Sequence, residues 1–170
     1  MSANKRVKTG TSAVTRQLKD VQKDGRFQID SMDDITKCII RVPDTIFYEA
    51  YLRMFEDLND FAQRHHQPAE IVLSCTFPSD YPHRPPWLRV VKPRFAFRTG
   101  HVTLGGSFCM YEMTDTGWDP DRSLLNVLTF FISNVIDGEG RIDTSYKANI
   151  PYTEEEAIQA HSRVLSTHGW

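Results

Sequence analysis

The segment from residue 70 to residue 77 constrains the fold more than any other part of this 170-residue chain. Its apolar residues alternate with mostly polar ones, as in a strand with one face in a core: Ile71, Leu73, Cys75 and Phe77. Shorter strands are predicted at residues 26–30, 36–42 and 87–91. The order of helix, strands, proline-rich turn, glycine-bearing loop and further helices predicts an α+β domain. Its sheet is expected to be a four-stranded antiparallel meander.

Two helices are predicted in the first half of the chain. The first has one apolar face and ends near Asp24 and Gly25; the face consists of Val14, Leu18 and Val21. Residues 1–11 before it are expected to be a flexible tail, and residues 12–170 a single domain. Apolar residues at helical spacing predict an inserted helix at residues 45–63, for which covering a sheet edge is the simplest role.

Two more helices are predicted after the sheet. Ser123 is a suitable N-cap for a central helix whose apolar residues face inward. Thr153 and Glu156 have the spacing of a capping box at the start of a C-terminal helix. This helix is expected to end at about residue 167.

Composition excludes several classes of function. Hydrophobic residues make up 40% and charged residues 25% of the chain, which is ordinary for a soluble domain. The net charge of −2 gives no basic footprint for nucleic acid or membrane, and no apolar stretch reaches the ~18–20 residues of a membrane span. Three widely spaced cysteines, Cys38, Cys75 and Cys109, indicate neither a metal site nor a disulfide framework. We therefore expect a cytoplasmic and/or nuclear protein without a bound metal.

Cys109 lies in a long loop, whereas Cys38 and Cys75 lie on predicted strands. Loops longer than about 12–15 residues are usually functional. Residues 99–109 contain three glycines before the thiol, so a bulky acyl donor is able to reach it. Taken alone, this position also fits an inert loop cysteine.

Three motifs in order resemble those of the ubiquitin-conjugating enzymes. The run from Tyr81 to Pro86 is similar to the family's tyrosine-proline-x-x-proline-proline turn. Gly106-Ser107-Phe108-Cys109 is similar to its glycine-serine-hydrophobe-cysteine active site. Gly117-Trp118-Asp119-Pro120 is close to its tryptophan-x-proline, after a slightly longer gap. The resemblance covers residues 12–143 and implies the ubiquitin-conjugating fold.

Further residues resemble the Q-type branch of that family. They are the Thr-Gly-His-Val-Thr-x-Gly-Gly run before the cysteine, Met110 after it, and the terminal Gly169-Trp170. The resemblance implies that Cys109 accepts ubiquitin, or a ubiquitin-like protein, as a thioester from an activating enzyme. The activating enzyme uses ATP, so no cofactor is expected on this chain. The modifier then passes to a ligase or a substrate.

The resemblance also marks candidate residues near the cysteine. The usual enzymes have histidine-proline-asparagine where this chain has Thr99, Gly100 and His101. The family's asparagine is thought to steady the loop and to donate a hydrogen bond to the oxyanion, and His101 has a ring N–H that can replace this donor. An alternative is a loop histidine that only satisfies backbone groups. For the acidic residue that orients an acceptor lysine, we prefer Asp143 among three candidates: Asp137, Glu139 and Asp143.

Two surfaces for protein partners are implied as well. Basic residues of the first helix are expected to contact the activating enzyme: Arg16, Lys19 and Lys23. Ligase contact is expected at the two loops that hold His83, Arg84, Trp118 and Pro120. His83 replaces a phenylalanine that anchors ligases in many relatives, so ligase pairing is expected to differ. For Trp118, core packing is the alternative.

Three other functions are compatible with parts of the pattern. A non-catalytic ubiquitin-binding variant of the fold lacks the cysteine that this chain has. A small cysteine hydrolase needs a base histidine, for which His101 is the nearby candidate. An interaction module that binds peptides through the proline-rich turn is indifferent to loss of Cys109.

Overall fold

The computed structural model describes the backbone of residues 2–31 and 34–170 and the side chains of residues 10–30 and 34–170. Its helices are α1 (Ser2–Asp24), α2 (Leu52–His65), α3 (Leu124–Asp137) and α4 (Glu154–His168). Its strands are β1 (Gln28–Ser31), β2 (Lys37–Pro43), β3 (Glu70–Thr76) and β4 (Trp87–Lys92). Each predicted strand is present within about two residues of its expected ends.

The sheet is a meander in the order β1-β2-β3-β4, with antiparallel pairing throughout. In the central pair, Ile40 lies opposite Leu73 and Cys38 opposite Cys75. These four side chains are at most 1% exposed, because alternation sends them all to the face that carries the core. The predicted α+β architecture is confirmed.

Helix α3 supplies the other wall of the core, and its start is fixed by hydrogen bonds. Ser123 Oγ accepts from the Asn126 amide at 3.0 Å and completes a capping box with the Asn126 side chain. The Leu124 amide donates to Gln17 Oε1 of α1 at 2.8 Å, so α1 also holds this end. Six α3 residues are buried: Leu124, Val127, Leu128, Phe131, Ile132 and Val135.

Helix α1 begins earlier than its apolar pattern predicts. The backbone is helical from Ser2, so residues 2–11, expected to be a tail, are part of α1. Gly10 is buried against the proline-rich turn, where a Cβ atom would lie 3.2 Å from the Ser79 carbonyl oxygen. Close approach of the two backbones, which polar periodicity does not reveal, extends the helix.

The inserted segment is two helices and not one. A 3-10 turn spans Asp44–Phe47, and α2 begins only after Tyr51, whose backbone is extended. Asn59 of α2 donates to the Asp44 carboxylate at 2.8 Å and ties the two pieces together. α2 ends where His66 adopts a left-handed conformation.

Of the helices in the described part of the chain, none is both long and apolar enough to cross a membrane.

Candidate active site

The loop that carries Cys109 is an ordered hairpin, here called the cysteine hairpin (residues 101–109). Val102 pairs with Phe108, and the Cys109 amide donates to the His101 carbonyl at 3.0 Å. The Val90 amide of β4 donates to the Gly106 carbonyl at 2.8 Å, which fixes the hairpin to the sheet. The position of the thiol is therefore set by main-chain hydrogen bonds.

Cys109 is the cysteine that reaches the surface. Cys38 and Cys75 are 1% and 0% exposed, whereas Cys109 is partly exposed between two buried neighbours, Phe108 and Met110. Partial burial raises the pKa of the Cys109 thiol above its ordinary value. At neutral pH the sulfur is therefore mostly protonated, and its reaction as a nucleophile requires loss of that proton.

A histidine from the far end of the chain lies beside this thiol. His168 Nε2, at the end of α4, is 3.8 Å from Cys109 Sγ. The His168 ring stacks on Trp170 with centroids 4.5 Å apart, and Trp170 contacts the Tyr111 ring edge-on at 5.7 Å. The two aromatic contacts orient the imidazole toward the hairpin.

Helix α4 reaches the hairpin because its start is held against β4. The predicted capping box is present: Thr153 Oγ1 accepts from the Glu156 amide, and Glu156 accepts from the Thr153 amide. Arg94 clamps the Glu156 carboxylate with two hydrogen bonds of 3.1 Å, which lowers the pKa of Glu156. Gly105 packs on the α4 backbone, where a Cβ atom would lie 2.8 Å from the Ala160 Cβ. A larger residue at Gly105 would lift the helix from the hairpin.

Two curated relatives are each one-third identical to the chain. A Q-type-like ubiquitin-conjugating enzyme protein of Drosophila melanogaster is 33% identical over 103 residues, which are 59% of this chain and 33% of that protein. A Q-type-like ubiquitin-conjugating enzyme protein of Homo sapiens is 33% identical over 104 residues, 59% of this chain and 63% of that protein. This chain is related to the Q-type ubiquitin-conjugating enzymes. The match spans from one third to just under two thirds of the length of these relatives.

Solved structures agree on the fold. The human ubiquitin-conjugating enzyme E2 G1 superposes with a TM-score of 0.55 at 18% identity, over 75% of this chain and 95% of that one. A Plasmodium vivax ubiquitin-conjugating enzyme E2 gives 0.54 at 18% identity, over 72% and 97%. No family model matches the chain. The chain has the ubiquitin-conjugating fold.

His101, in place of the asparagine of most ubiquitin-conjugating enzymes, supports the hairpin through its backbone. Its carbonyl accepts the Cys109 amide, and its φ of +55° is in the left-handed region that few non-glycine residues adopt. The exposed ring lies against Gly138, where a Cβ atom would come within 2.8 Å of Cδ2. A role of this ring toward an oxyanion stays a prediction.

Asp143 is engaged away from the hairpin. One carboxylate oxygen accepts the Ser145 amide at 2.8 Å, and the other accepts the Ser145 hydroxyl at 2.9 Å. It lies in a shallow hollow with two exposed apolar side chains, Phe97 and Leu104. Its expected role toward an acceptor therefore requires the release of both hydrogen bonds.

The basic residues expected to contact the activating enzyme share one face of α1. Arg16, Lys19 and Lys23 are exposed and line a shallow depression together. The structure thus gathers them as the helical spacing predicts. Their role as a contact surface stays a prediction.

The residues expected at the ligase surface separate into exposed and buried ones. His83, Arg84 and Pro120 are exposed, and Arg84 Nε is 3.4 Å from the Asp115 carboxylate. Trp118 is only 8% exposed, and its indole N–H donates to the Pro82 carbonyl at 2.7 Å. The expected direct contact of Trp118 is corrected: the ring supports the surface from beneath, because its apolar area packs in the core.

Among the described residues, no group of three His, Cys, Asp or Glu side chains is placed to hold a metal ion.

Proposed function

We propose that this protein is a ubiquitin-conjugating enzyme that carries ubiquitin, or a ubiquitin-like protein, as a thioester on Cys109. One observation carries the proposal: the accessible cysteine lies at the end of a hydrogen-bonded hairpin on a ubiquitin-conjugating fold. Cys38 and Cys75 are buried within the sheet and are out of reach of a protein-sized donor. Relatives named as ubiquitin-conjugating enzymes support the same reaction.

Loading is a thioester exchange. The Cys109 thiol loses its proton, and the thiolate attacks the carbonyl of the thioester on the activating enzyme. A new carbon–sulfur bond forms, and the bond to the cysteine of the activating enzyme breaks and releases a thiolate. ATP is consumed earlier, by the activating enzyme, so this chain needs no cofactor of its own.

Partners and location follow from the same proposal. The basic face of α1, formed by Arg16, Lys19 and Lys23, receives the activating enzyme. The exposed turn with His83 and Arg84, together with Pro120, receives a ligase. Free thiols fit a protein of the reducing cytoplasm and/or nucleus.

His168 serves the second step, in which an acceptor nucleophile attacks the loaded thioester. With Nε2 at 3.8 Å from Sγ, a neutral imidazole is within reach of the proton of a lysine amine or a hydroxyl approaching the carbonyl. The acceptor becomes an amide or an ester, and Cys109 leaves as a thiolate.

The same thiol–histidine pair favours one other candidate, a cysteine hydrolase. A hydrolase cleaves a ubiquitin ester or amide with water and needs neither ATP nor an activating enzyme. In the described part of the chain no carboxylate is hydrogen-bonded to His168, whose ring contacts Cys109 and Trp170. The pair lacks the third group of a hydrolytic triad.

Loading is tested by incubating the protein with ubiquitin, activating enzyme and Mg-ATP and measuring the intact mass. The expected product is one ubiquitin per chain, removed by excess thiol and absent without ATP. A parallel reaction with a ubiquitin C-terminal ester and no ATP tests the hydrolase. Cleavage of that ester, with no adduct from ubiquitin or any ubiquitin-like protein, would replace this proposal.

Substitution of His168 by alanine is expected to slow discharge and not loading. Positioned acid–base groups contribute about 10²–10⁴-fold, and the solvent-exposed helix end leaves part of this to water. We expect discharge of preloaded protein onto free lysine, or onto a serine or threonine peptide, to fall by at least ~10-fold. Single-turnover gels measure it, with His66→Asn, an exposed histidine in a left-handed turn, as the control. Equal discharge by all three proteins would remove His168 from the mechanism.

A further inference from the structure

Helix α2 is linked to the loop after α3 by one carboxylate. Asp57 of α2 accepts two hydrogen bonds from the Arg141 guanidinium, at 2.7 and 2.9 Å, and a third from the Ile142 amide at 3.0 Å. The Asp57 side chain is only 15% exposed. A bidentate ion pair of this kind fixes both partners in orientation as well as in distance.

The segment that Asp57 holds is in turn bound to the residues before the cysteine hairpin. The Arg141 amide donates to Thr99 Oγ1 at 3.1 Å, and the Thr99 hydroxyl donates to the Ala96 carbonyl at 2.9 Å. The Ala96 amide donates to the Arg141 carbonyl at 2.8 Å. One hydroxyl thus connects the two backbones.

The last contacts lead into the hairpin itself. The Gly100 amide donates to the Gly138 carbonyl at 2.8 Å, and a Cβ atom on Gly100 would lie 3.0 Å from the Gly140 Cα. His101 follows at once, with its ring against Gly138 and its carbonyl on the Cys109 amide. Each contact between α2 and Cys109 is therefore direct, with no gap along the way.

We propose that the inserted helix α2 is a brace for the active site, and that Asp57 is a positioning residue that acts on Cys109 through Arg141, Thr99 and His101. The inference rests on the proposed function of Cys109 and gives the inserted helix a role in it. The pKa of Arg141, raised by its hydrogen bonds to Asp57, fits a persistent ion pair. Met54 adds an apolar contact from the same helix, because its Cε lies 3.1 Å from where a Cβ of Gly140 would be.

The brace is tested from both ends with matched variants. Asp57→Asn removes the charge that holds Arg141, and Thr99→Val removes the bridging hydroxyl with little change of shape. Thr99→Ser restores the hydroxyl. Asp60→Asn breaks another ion pair of α2, in which Arg64 Nε lies 2.8 Å from Asp60, and serves as the control because that pair does not reach the hairpin.

Amide hydrogen exchange in the full chain, without ubiquitin, is the first measurement. We expect the Gly100 and Cys109 amides to exchange at least ~10-fold faster in Asp57→Asn and Thr99→Val, because their hydrogen bonds open more often. Thr99→Ser and Asp60→Asn are expected to match the wild type. Unchanged exchange at these two amides in Asp57→Asn and Thr99→Val would overturn the brace.

Loading kinetics are the second measurement. A displaced thiol lowers the rate of the chemical step, so we expect kcat for loading to fall about 10-fold in Asp57→Asn and Thr99→Val. KM for the charged activating enzyme is expected to stay unchanged, since the α1 surface is untouched. Equal kcat in all variants contradicts the brace. A wild type that never loads contradicts the proposed function instead, and the exchange rates then still decide on the brace.

Discussion

Substitution of Phe131 by alanine is expected to lower the free energy of unfolding by about 3–5 kcal/mol. Phe131 is 1% exposed on α3 and stacks on Phe108, which is 4% exposed, with ring centroids 4.6 Å apart. Removal of the ring loses the transfer free energy of a buried aromatic side chain and leaves a cavity behind the residue that precedes Cys109. Urea unfolding followed by circular dichroism measures the change.

The neighbouring Phe130 provides a matched control on the same helix. Its side chain is 37% exposed, so Phe130→Ala is expected to cost about 1 kcal/mol or less. Both substitutions remove the same atoms from adjacent positions, and only burial differs. Similar losses for the two variants would show that the inward face of α3 is assigned wrongly.

Gly106→Ala is expected to damage both stability and loading. Gly106 has a φ of +86°, where an alanine is strained by about 1–2 kcal/mol. A Cβ atom there would also lie 2.7 Å from the Tyr152 ring and 2.8 Å from the Val90 carbonyl oxygen. Overpacking of this kind costs about 1–3 kcal/mol more. Because Gly106 bonds to β4 within the hairpin, we expect the loading rate to fall at least ~10-fold in the folded protein as well.

Gly25→Ala separates backbone strain from the clash. Gly25 has a φ of +78° with nothing within 4 Å of a Cβ atom, so only the strain of about 1–2 kcal/mol is expected, with normal loading. Differential scanning calorimetry and the loading assay compare the two variants. Equal destabilisation and equal loading would contradict the packing of the hairpin against Tyr152.

Local chemistry made much of the fold predictable. The alternation of Ile71, Leu73 and Cys75 depends only on neighbouring residues, and the structure places all three in the core. The caps at Ser123 and Thr153 are equally local, since each accepts from an amide three residues away. These local signals were enough to predict the meander and both C-terminal helices.

Contacts between distant parts of the chain were not predictable in this way. The extension of α1 depends on Gly10 meeting the proline-rich turn, and a polar sequence gives no sign of it. Trp118 was expected at a partner surface, although its indole N–H pairs with a carbonyl 36 positions away. Periodicity reports which face of an element is apolar and not what that face meets.

The candidate site shows the same division. Cys109 was identified by its motif, and its exposure in the structure agrees with a carrier role. His168 was missed because 59 positions separate it from Cys109, and Asp57 because 84 separate it from Arg141. For His168, the terminal histidine-glycine-tryptophan was the available signal, but nothing in it indicates where α4 ends in space.

The most direct test of the thioester on Cys109 is a non-reducing gel after incubation with ubiquitin, activating enzyme and Mg-ATP. Wild type, Cys38→Ala and Cys75→Ala are predicted to form an adduct that thiol removes. Cys109→Ser is predicted to form an ester that resists thiol and is cleaved by hydroxide. A thiol-labile adduct on Cys109→Ser, or its loss from Cys38→Ala or Cys75→Ala in folded protein, would show that Cys109 is not the carrier.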